Sequence, residues 1–267
     1  MNKGSSLQEA YLSRLEKQRR KIMAARILLA LAFFLLWETA ADRGWIDSFF
    51  FSSPSRLGRL FLSMWRDGSL FLHVGITLTE TLVSFALVVV IGLAVSLLLW
   101  LSDSVFQVLE PYLVILNSLP KSALAPLLIV WLGANSRTII VAGMSVAIFG
   151  TILNLYTGFT ETSREKIRLI YTLHGTKKDA LTKVVLPSTV PMIISIMKVN
   201  IGLCLVGVVI GEFIGARNGL GYLIIYGSQV FQLDLVILSI LILCLMAMLL
   251  YGGVTVAEKL YHRRQHA

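Results

Sequence analysis

Four charged side chains stand within long apolar stretches of the sequence: Glu80, Lys121, Lys198 and Glu212. If these stretches cross a membrane, each central charge facing lipid costs about 2.5–3.5 kcal/mol, so the four side chains should face a protein interior, a subunit interface or the headgroups. Glu212 either lines a solute path or its gate, or accepts hydrogen bonds from a neighbouring helix or loop. Lys198 is expected to snorkel or to pair internally, with a role in the pathway as the alternative. Lys121 is expected to satisfy freed backbone groups between two prolines rather than to line the pathway, and Glu80 to stay hydrated near the outer surface.

Glycines on either side of Glu212 add a second candidate feature. Gly207, Gly211 and Gly215 recur every fourth residue, a spacing that lets helices approach closely, whether for fixed packing or for a sliding interface. Gly219 and Gly221 follow and are expected to interrupt the helix, either as part of a gate or as an ordinary turn. The candidates for a translocation path or its gate are Lys121, Lys198, Glu212, Gly219 and Gly221.

Several kinds of catalytic chemistry have no basis in this sequence. The phosphate-binding pattern Gly-x-x-x-x-Gly-Lys-Ser/Thr does not occur, so the chain is not expected to bind ATP by that route. Cys204 and Cys244 lie in apolar runs, and no Ser-His-Asp constellation can be argued. The histidines are scattered without metal-ligand spacing: His73, His174, His262 and His266. We expect no enzyme, and no metal or cofactor of the chain's own.

The composition indicates which elements position these residues. Of 267 residues, 56% are hydrophobic and only 15% are charged, with a mean hydropathy of +0.78. A soluble domain carries about 25% charged residues, so this chain cannot cover a globular surface with polar groups. The formal net charge of +9 flanks apolar runs rather than forming a stripe, which argues against a nucleic-acid partner. The sequence predicts a polytopic protein embedded in a lipid bilayer.

Six stretches are long and apolar enough to span a membrane as helices of roughly 20 residues. They are 22–41, 74–101, 105–133, 137–159, 191–215 and 233–257. The third is interrupted by Pro111, Pro120 and Pro126. Thr39-Ala40-Ala41 resembles a signal-peptidase site, which leaves a cleaved signal as the rival interpretation of the first stretch.

The distribution of Lys and Arg predicts the orientation. Sixteen of these residues fall on one side of the six spans and six on the other, which places both termini in the cytoplasm. The basic segment 1–21 and the tail 258–267 are then cytoplasmic, and 42–73 is an external loop that contains an amphipathic helix. Residues 74–257 form the core of five spans, including an internal loop at 160–188.

The internal loop carries a helical pattern of apolar residues. Ile167, Ile170 and Tyr171 share one helical face, a glycine interrupts the pattern, and the apolar spacing then resumes up to Pro187. This predicts two short amphipathic helices joined by a tight turn, although an ordinary solvated loop has similar weight on periodicity alone. An exposed apolar element of this kind is useful where a partner covers it.

At this loop the chain resembles the permease subunits of binding-protein-dependent ABC importers. Their signature is Glu-Ala-Ala, three residues, Gly, nine residues and Ile-x-Leu-Pro, and its end is matched here by Val184-Val185-Leu186-Pro187. The front half departs from the signature: His174 stands at the glycine position, Gly175 follows one place late, and Arg168-Leu169-Ile170 replace Glu-Ala-Ala. The loop positions carried over from the family are Arg168, Leu169, Ile170, His174, Gly175, Ala180, Leu181, Val184, Leu186 and Pro187.

Further segments resemble the nitrate/sulfonate/taurine branch of these permeases, from about residue 50 to 257. They are Ser53-Pro54-Ser55, Gly68, Thr77-Leu78, Leu119 to Leu127 with its two prolines, Trp131-Leu132-Gly133, Leu186 to Pro191, Glu212 and Gly219-Leu220-Gly221. Glu80 departs from the branch, which usually carries an arginine close to that position.

The resemblance implies an all-α membrane protein with the type I, MetI-like permease fold in a bacterial plasma membrane. It also implies partners: a second copy or a paralogous permease, two cytoplasmic ATPase subunits that bind ATP and Mg²⁺, and an extracytoplasmic solute-binding protein. The branch carries nitrate, sulfonates, taurine and, in some members, pyrimidine-type vitamin precursors. Replacing Gly175, or adding charge at Leu181, is expected to uncouple transport while leaving the protein inserted.

Two other classes of function compete with this interpretation. A secondary carrier driven by an ion gradient would show paired broken helices in two related halves, whereas only the third stretch is clearly broken here. A membrane anchor or assembly subunit would transport nothing. Co-elution with an ATPase favours the importer, and gradient-driven uptake by the lone chain favours the carrier.

Overall fold

The computed structural model describes residues 3–265, and the side chains of residues 12 and 17–259. The chain divides into two compact units, residues 1–63 and 64–267. Met1, Asn2, His266 and Ala267, at the outer ends of the predicted cytoplasmic segments, lie outside the described residues. The described residues form helices joined by short connections, which confirms the all-α prediction.

The first unit contains α1 (Lys3–Asp42), α2 (Ser48–Phe51) and most of α3 (Pro54–Arg66), which continues into the second unit. The apolar part of α1, Lys17–Asp42, is long enough to cross a membrane. The Glu38 carboxylate at its end accepts hydrogen bonds from the backbone N–H of Ser55 at 2.9 Å and from the Ser55 hydroxyl at 2.6 Å. This pair of bonds fixes the start of α3 against the end of α1.

The second unit holds the remaining helices. In chain order they are α4 (Ser69–Leu101), α5 (Asp103–Ser118), α6 (Lys121–Leu132), α7 (Ser136–Thr160), α8 (Arg164–Thr172), α9 (Lys177–Ala180), a π-helical turn (Leu181–Val185), α10 (Leu186–Gly215), α11 (Leu220–Gln229) and α12 (Leu233–Gln265). Among the described residues, α4, α7 and α12 are long and apolar enough to cross a membrane, as is the continuous segment Lys177–Gly215.

The third predicted span, 105–133, is broken at one place and not at each of its three prolines. Helices α5 and α6 bend by 95° at Leu119 and Pro120, so the pair counts as one broken span or as a re-entrant segment. Pro111 and Pro126 lie inside the two helices without ending them. The bend falls where the residue before a proline is driven into an extended conformation, as Leu119 is. The described chain thus has five helical segments that are long and apolar enough to cross a membrane, and a sixth candidate if the bent pair is counted as one span.

Helix α7 packs mainly against α4 and α10. The glycine stripe of α10 explains how closely α7 and α10 approach. A Cβ atom on Gly207 would lie 2.8 Å from the Cα of Gly143 and 2.7 Å from a methyl group of Val146. A Cβ on Gly211 would lie 3.2 Å from that of Ala142. The small residues are what allows the two helices to approach this closely.

Candidate functional site

Glu212 lies at the centre of a buried polar cluster that caps the N-terminus of α11. Its side chain is 1% exposed. The Thr77 hydroxyl donates to Oε1 of Glu212 at 2.6 Å, and the backbone N–H of Gly221 donates to Oε2 at 2.6 Å. The N–H of Leu220 donates to the Thr77 hydroxyl at 2.8 Å, and that of Gly219 donates to Nδ1 of His73 at 3.0 Å. Three otherwise unpaired N–H groups of a helix start are thereby satisfied.

The glycines around this cluster are required by close approach and by backbone conformation. Gly219 has φ +113° and ψ 165°, a region that is essentially restricted to glycine. A Cβ on Gly221 would lie 2.8 Å from Oε2 of Glu212, and a Cβ on Gly219 would collide with the same carboxylate. The geometry therefore gives Glu212 the role of a hydrogen-bond acceptor that joins α4, α10 and α11. It remains a prediction that a gate is lined by Glu212, Gly219 and Gly221.

His73 and Thr77 belong to this cluster but were not among the site residues predicted from the sequence. They are 146 and 135 residues away from the groups that they bind, Gly219 and Glu212, and no local pattern connects them. The available signal is their spacing of four residues, which places two polar side chains on one face of an otherwise apolar helix.

The sequence predicted that Glu80 stays hydrated near the outer surface. In the structure its side chain is only 3% exposed. Both carboxylate oxygens are buried, and the carboxyl group interacts with the side chains of Ser136 and Glu212 without ideal hydrogen-bond geometry. Glu80 lines a cavity of about 180 Å³ between the start of α7 and the end of α10, together with Ile76, Ala134, Asn135, Ser136, Ile139, Gly215, Ala216, Arg217 and Asn218. The tight packing of α4 against α7 buries it.

The two lysine candidates contact protein groups. The Lys121 ammonium donates to the backbone carbonyls of Leu116 at 2.5 Å and Asn117 at 3.0 Å, and so satisfies acceptors at the end of α5 next to the bend. Lys198 forms a partly buried ion pair with Glu258 that joins α10 to α12. Both contacts agree with a structural role, and the structure brings neither lysine into the cluster around Glu212.

A second polar cavity was not anticipated from the sequence. It measures about 330 Å³ and lies between α5, α7 and α10, where four uncharged polar side chains line it: Asn117, Asn154, Ser195 and Asn200. Asn200 is buried and donates to the Thr151 hydroxyl at 2.8 Å. Asn117 and Asn154 are exposed, and an amide that faces lipid without a hydrogen-bond partner is costly. Each of these asparagines stands alone in an apolar run, so no sequence pattern indicates that they line one cavity.

The internal loop contains two helices with a break between them, α8 and α9. Apolar residues on one side of the loop pack into the protein, where Ile167 and Ile170 contact a core cluster that includes Trp100, Phe159, Ala180, Leu181, Val185 and Met197. On the opposite side, Leu169 is 59% exposed and Leu173 is 70% exposed, beside the exposed Arg168. Val184 and Leu186 are half-buried and Pro187 is exposed. The available docking surface is thus formed by α8.

Leu181 does not occupy the exposed position that its proposed role in uncoupling assumed. It is 8% exposed, and Ala180 beside it is fully buried. The π-helical turn Leu181–Val185 carries α9 directly into α10, so Pro187 stands in the first turn of α10 without interrupting the segment Lys177–Gly215. A charge at Leu181 would therefore disturb the core rather than a docking surface.

A capping box fixes the start of α9. The N–H of Asp179 donates to the Thr176 hydroxyl at 3.3 Å, and the carboxylate of Asp179 accepts from the N–H of Thr176 at 2.9 Å. Hydrogen bonds from the Thr176 hydroxyl and N–H lower the pKa of Asp179 to about 2, with a smaller contribution from Lys183. The start of this second loop helix is therefore held locally by its own side chains.

His174 takes the left-handed conformation that ends α8, with φ +60°. The adjacent N–H of Gly175 bonds to the carbonyl of Ile170 at 2.8 Å, as in a Schellman-type helix end. Left-handed backbone costs a non-glycine residue about 1–2 kcal/mol. The position that requires a glycine backbone is thus His174, which is the glycine position of the family signature.

Replacing His174 by glycine is expected to stabilise the loop by about 1 kcal/mol, because the strain of a left-handed L-residue is removed. Gly175→Ala should destabilise it, since the new Cβ would lie 2.5 Å from a methyl group of Ile170 and 2.9 Å from its carbonyl oxygen. Hydrogen exchange of residues 164–182, measured by mass spectrometry, checks both. Faster exchange in His174→Gly would contradict the assignment.

Relatives of known description match most of the chain. A probable ABC transporter permease protein of Haemophilus influenzae is 30% identical over 237 residues, which are 89% of this chain and 95% of that protein. The formylaminopyrimidine transport permease protein ThiX of Halalkalibacterium halodurans is 28% identical and covers 73% of this chain and 77% of its own length. The taurine transport system permease protein TauC of Escherichia coli is 24% identical, with coverages of 84% and 83%.

A solved structure shares the fold. An inward-facing conformation of the MetNI methionine ABC transporter superposes with a TM-score of 0.61 at 21% identity, over 68% of this chain and 91% of that one. The family model described as "binding-protein-dependent transport system inner membrane component" matches residues 88–265 of this chain. The family match and the relatives support one conclusion: the chain belongs to the family of inner membrane components of binding-protein-dependent transport systems, as a plasma-membrane ABC importer permease of the nitrate/sulfonate/taurine branch that is not itself an enzyme.

Proposed function

We propose that this chain forms, with a second copy or a paralogous permease, the translocation pathway of an ATP-driven importer for a small solute. Two cytoplasmic ATPase subunits would bind ATP and Mg²⁺, and an extracytoplasmic binding protein would deliver the solute. The solute would be a nitrate-, sulfonate- or taurine-like anion or a small heterocyclic vitamin precursor. Both termini and the α8–α9 loop would lie in the cytoplasm.

The observation that carries this proposal is the exposed apolar surface of α8. Leu169 and Leu173 are large apolar side chains that the rest of the described chain leaves uncovered. Their helix is nevertheless held rigidly, because Ile167 and Ile170 on its other side are packed into the core. A rigid helix with an uncovered apolar side fits a groove on a partner protein. In an importer, the ATPase subunit is that partner.

The continuous segment Lys177–Gly215 gives the loop a mechanical connection to the opposite end of the protein. Its 39 residues extend over about 58 Å at 1.5 Å per residue. One end carries the loop, and the other carries Glu212, which is hydrogen-bonded to α4 and α11. Displacement of the loop by an ATPase would therefore move the end of α10 as well. For coupling, the ATPase must bind the loop differently in its two nucleotide states.

Co-purification tests the proposed function. The chain is expressed together with a candidate ATPase subunit and a candidate binding protein, and a tag on this chain is used to isolate it in detergent. We expect the ATPase to co-elute, and reconstituted vesicles to take up solute only with ATP and the binding protein. Uptake by the lone chain under an ion gradient, without an ATPase, would contradict the proposal.

A further inference from the structure

His73 holds the start of α11 through an atom that can also take up a proton. Its Nδ1 accepts a hydrogen bond from the backbone N–H of Gly219 at 3.0 Å, between residues that are 146 positions apart. An accepting ring nitrogen carries no proton, so this ring is neutral and its proton lies on Nε2. In the imidazolium ion both nitrogens carry a proton, and neither can accept. Protonation of His73 and its bond to Gly219 therefore exclude each other.

The start of α11 also disfavours a positive charge at this position. Gly219 is the N-terminal cap residue of α11, and the first N–H groups of a helix carry partial positive charge. A protonated Nδ1 would direct its own N–H at the N–H of Gly219. The Gly219 donor would then be left without its acceptor in a buried cluster, which is unfavourable. Uptake of a proton by His73 thus favours the separation of α11 from α4.

The groups around His73 compensate little for a positive charge. Both oxygens of Glu212 already accept hydrogen bonds, from Thr77 and Gly221. The ring of Tyr222 stacks on His73 at a centroid distance of 6.2 Å, outside the range of about 6 Å in which an aromatic face attracts a cation. No carboxylate in the described part of the chain forms an ion pair with His73. The ionisable side chains of the surrounding elements are Glu80 on α4, Glu212 on α10, Tyr222 and Tyr226 on α11, and the exposed Arg217 before α11.

We propose that His73 is a pH-sensitive contact, whose protonation releases the start of α11 from α4 and slows transport. The side chain is 9% exposed, so a proton from solvent can reach it. Imidazoles titrate near pH 6.5, so the contact is intact above about that pH and is lost as the pH falls below it. Release of α11 also weakens the attachment of α10, because Gly221 of α11 is bonded to Glu212. The inference rests on the proposed function, which places this end of the protein outside the cell.

Melting of the purified chain in detergent tests the contact independently of transport. Lowering the pH from about 7.5 to about 5.5 should lower the melting temperature of the unmodified chain by about 3–8 °C. His73→Asn should remove most of this shift, because its Oδ1 is as many bonds from the backbone as Nδ1 and accepts at either pH. The matched control His174→Asn, at an exposed histidine, should retain the shift. Equal shifts in the unmodified chain and in a folded His73→Asn chain would overturn the inference.

Hydrogen exchange of the unmodified chain, measured by mass spectrometry, needs no variant. After correction for the intrinsic effect of pH on exchange, residues 219–223 should exchange at least threefold faster at the lower pH. The middle of α7 should show no such change. Unchanged corrected rates in residues 219–223 would overturn the inference even if His73→Asn failed to fold.

The effect on transport is measured in proteoliposomes that contain the complete importer and ATP, with the internal pH fixed at about 7.5. The labelled probes are taurine, nitrate and formylaminopyrimidine. When the external pH is lowered to about 5.5, uptake by the unmodified importer should fall at least threefold further than uptake by the His73→Asn importer. Both share any pH dependence of the binding protein, so an equal fall would overturn the inference alone. Transport of none of the probes at the higher pH would instead contradict the proposed function and leave the melting result intact.

Discussion

Glu212→Ala is expected to destabilise the protein by about 2–4 kcal/mol. The N–H of Gly221 loses its acceptor, Oε2 of Glu212, within a buried cluster, and an unsatisfied buried donor costs about 1–3 kcal/mol. The hydrogen bond from Thr77 is lost as well, and such bonds within membrane proteins contribute about 0.6–1.7 kcal/mol. At about 2–4 °C per kcal/mol, the melting temperature in detergent should fall by about 5–15 °C. Fluorescence-detected size exclusion after heating measures it.

Glu212→Gln is the matched variant for this prediction. Its amide oxygen still accepts from Gly221, and the Thr77 hydroxyl can turn to the carbonyl of His73, 3.2 Å away. The loss should therefore be under about 1 kcal/mol. Glu110→Ala, at an exposed position, should leave the melting temperature unchanged. If Glu212→Ala melted like the unmodified protein and yet lost transport, Glu212 would line the path instead of holding the helices together.

The helices could be predicted from the sequence, but the way in which one helix passes into the next could not. Apolar runs predict the spans because a bilayer demands about 20 apolar residues and internally satisfied backbone. The two helices of the internal loop follow from periodicity, since Ile167 and Ile170 share a face. Neither the π-helical turn after Ala180 nor the uninterrupted passage into α10 follows, because Pro187 in a first turn is compatible with starting a helix or continuing one.

The candidate site was only partly predictable for a similar reason. Charges within apolar runs single out Glu212 and Glu80 from composition alone, because each must find a special environment. Their environments depend on which helices pack together: Thr77 reaches Glu212 across 135 residues, and the packing of α4 against α7 removes Glu80 from solvent. Sequence could not decide whether Glu80 is hydrated, since depth along a helix does not reveal the neighbour on that face.

Leu173→Asp and Leu181→Asp, the same substitution eight residues apart, are expected to fail in different ways. Leu173 is 70% exposed, so a carboxylate there remains solvated and the fold is kept. If α8 docks on the ATPase, the new carboxylate enters an apolar contact, and burying an unpaired charge costs several kcal/mol. ATP-dependent uptake should therefore fall at least tenfold, with ATPase co-elution weakened and the melting temperature of the isolated chain unchanged.

Leu181→Asp should instead destabilise the chain itself. Leu181 is 8% exposed and packs with Phe159 and Val185, so the substitution places an unpaired carboxylate in an apolar core. The expected cost exceeds about 3 kcal/mol and should appear as poor expression or aggregation in size exclusion. A stable, inserted Leu181→Asp protein with selective loss of coupling would restore the surface role first expected for it. Full uptake by the Leu173→Asp variant would show that the uncovered side of α8 does not couple an ATPase to transport.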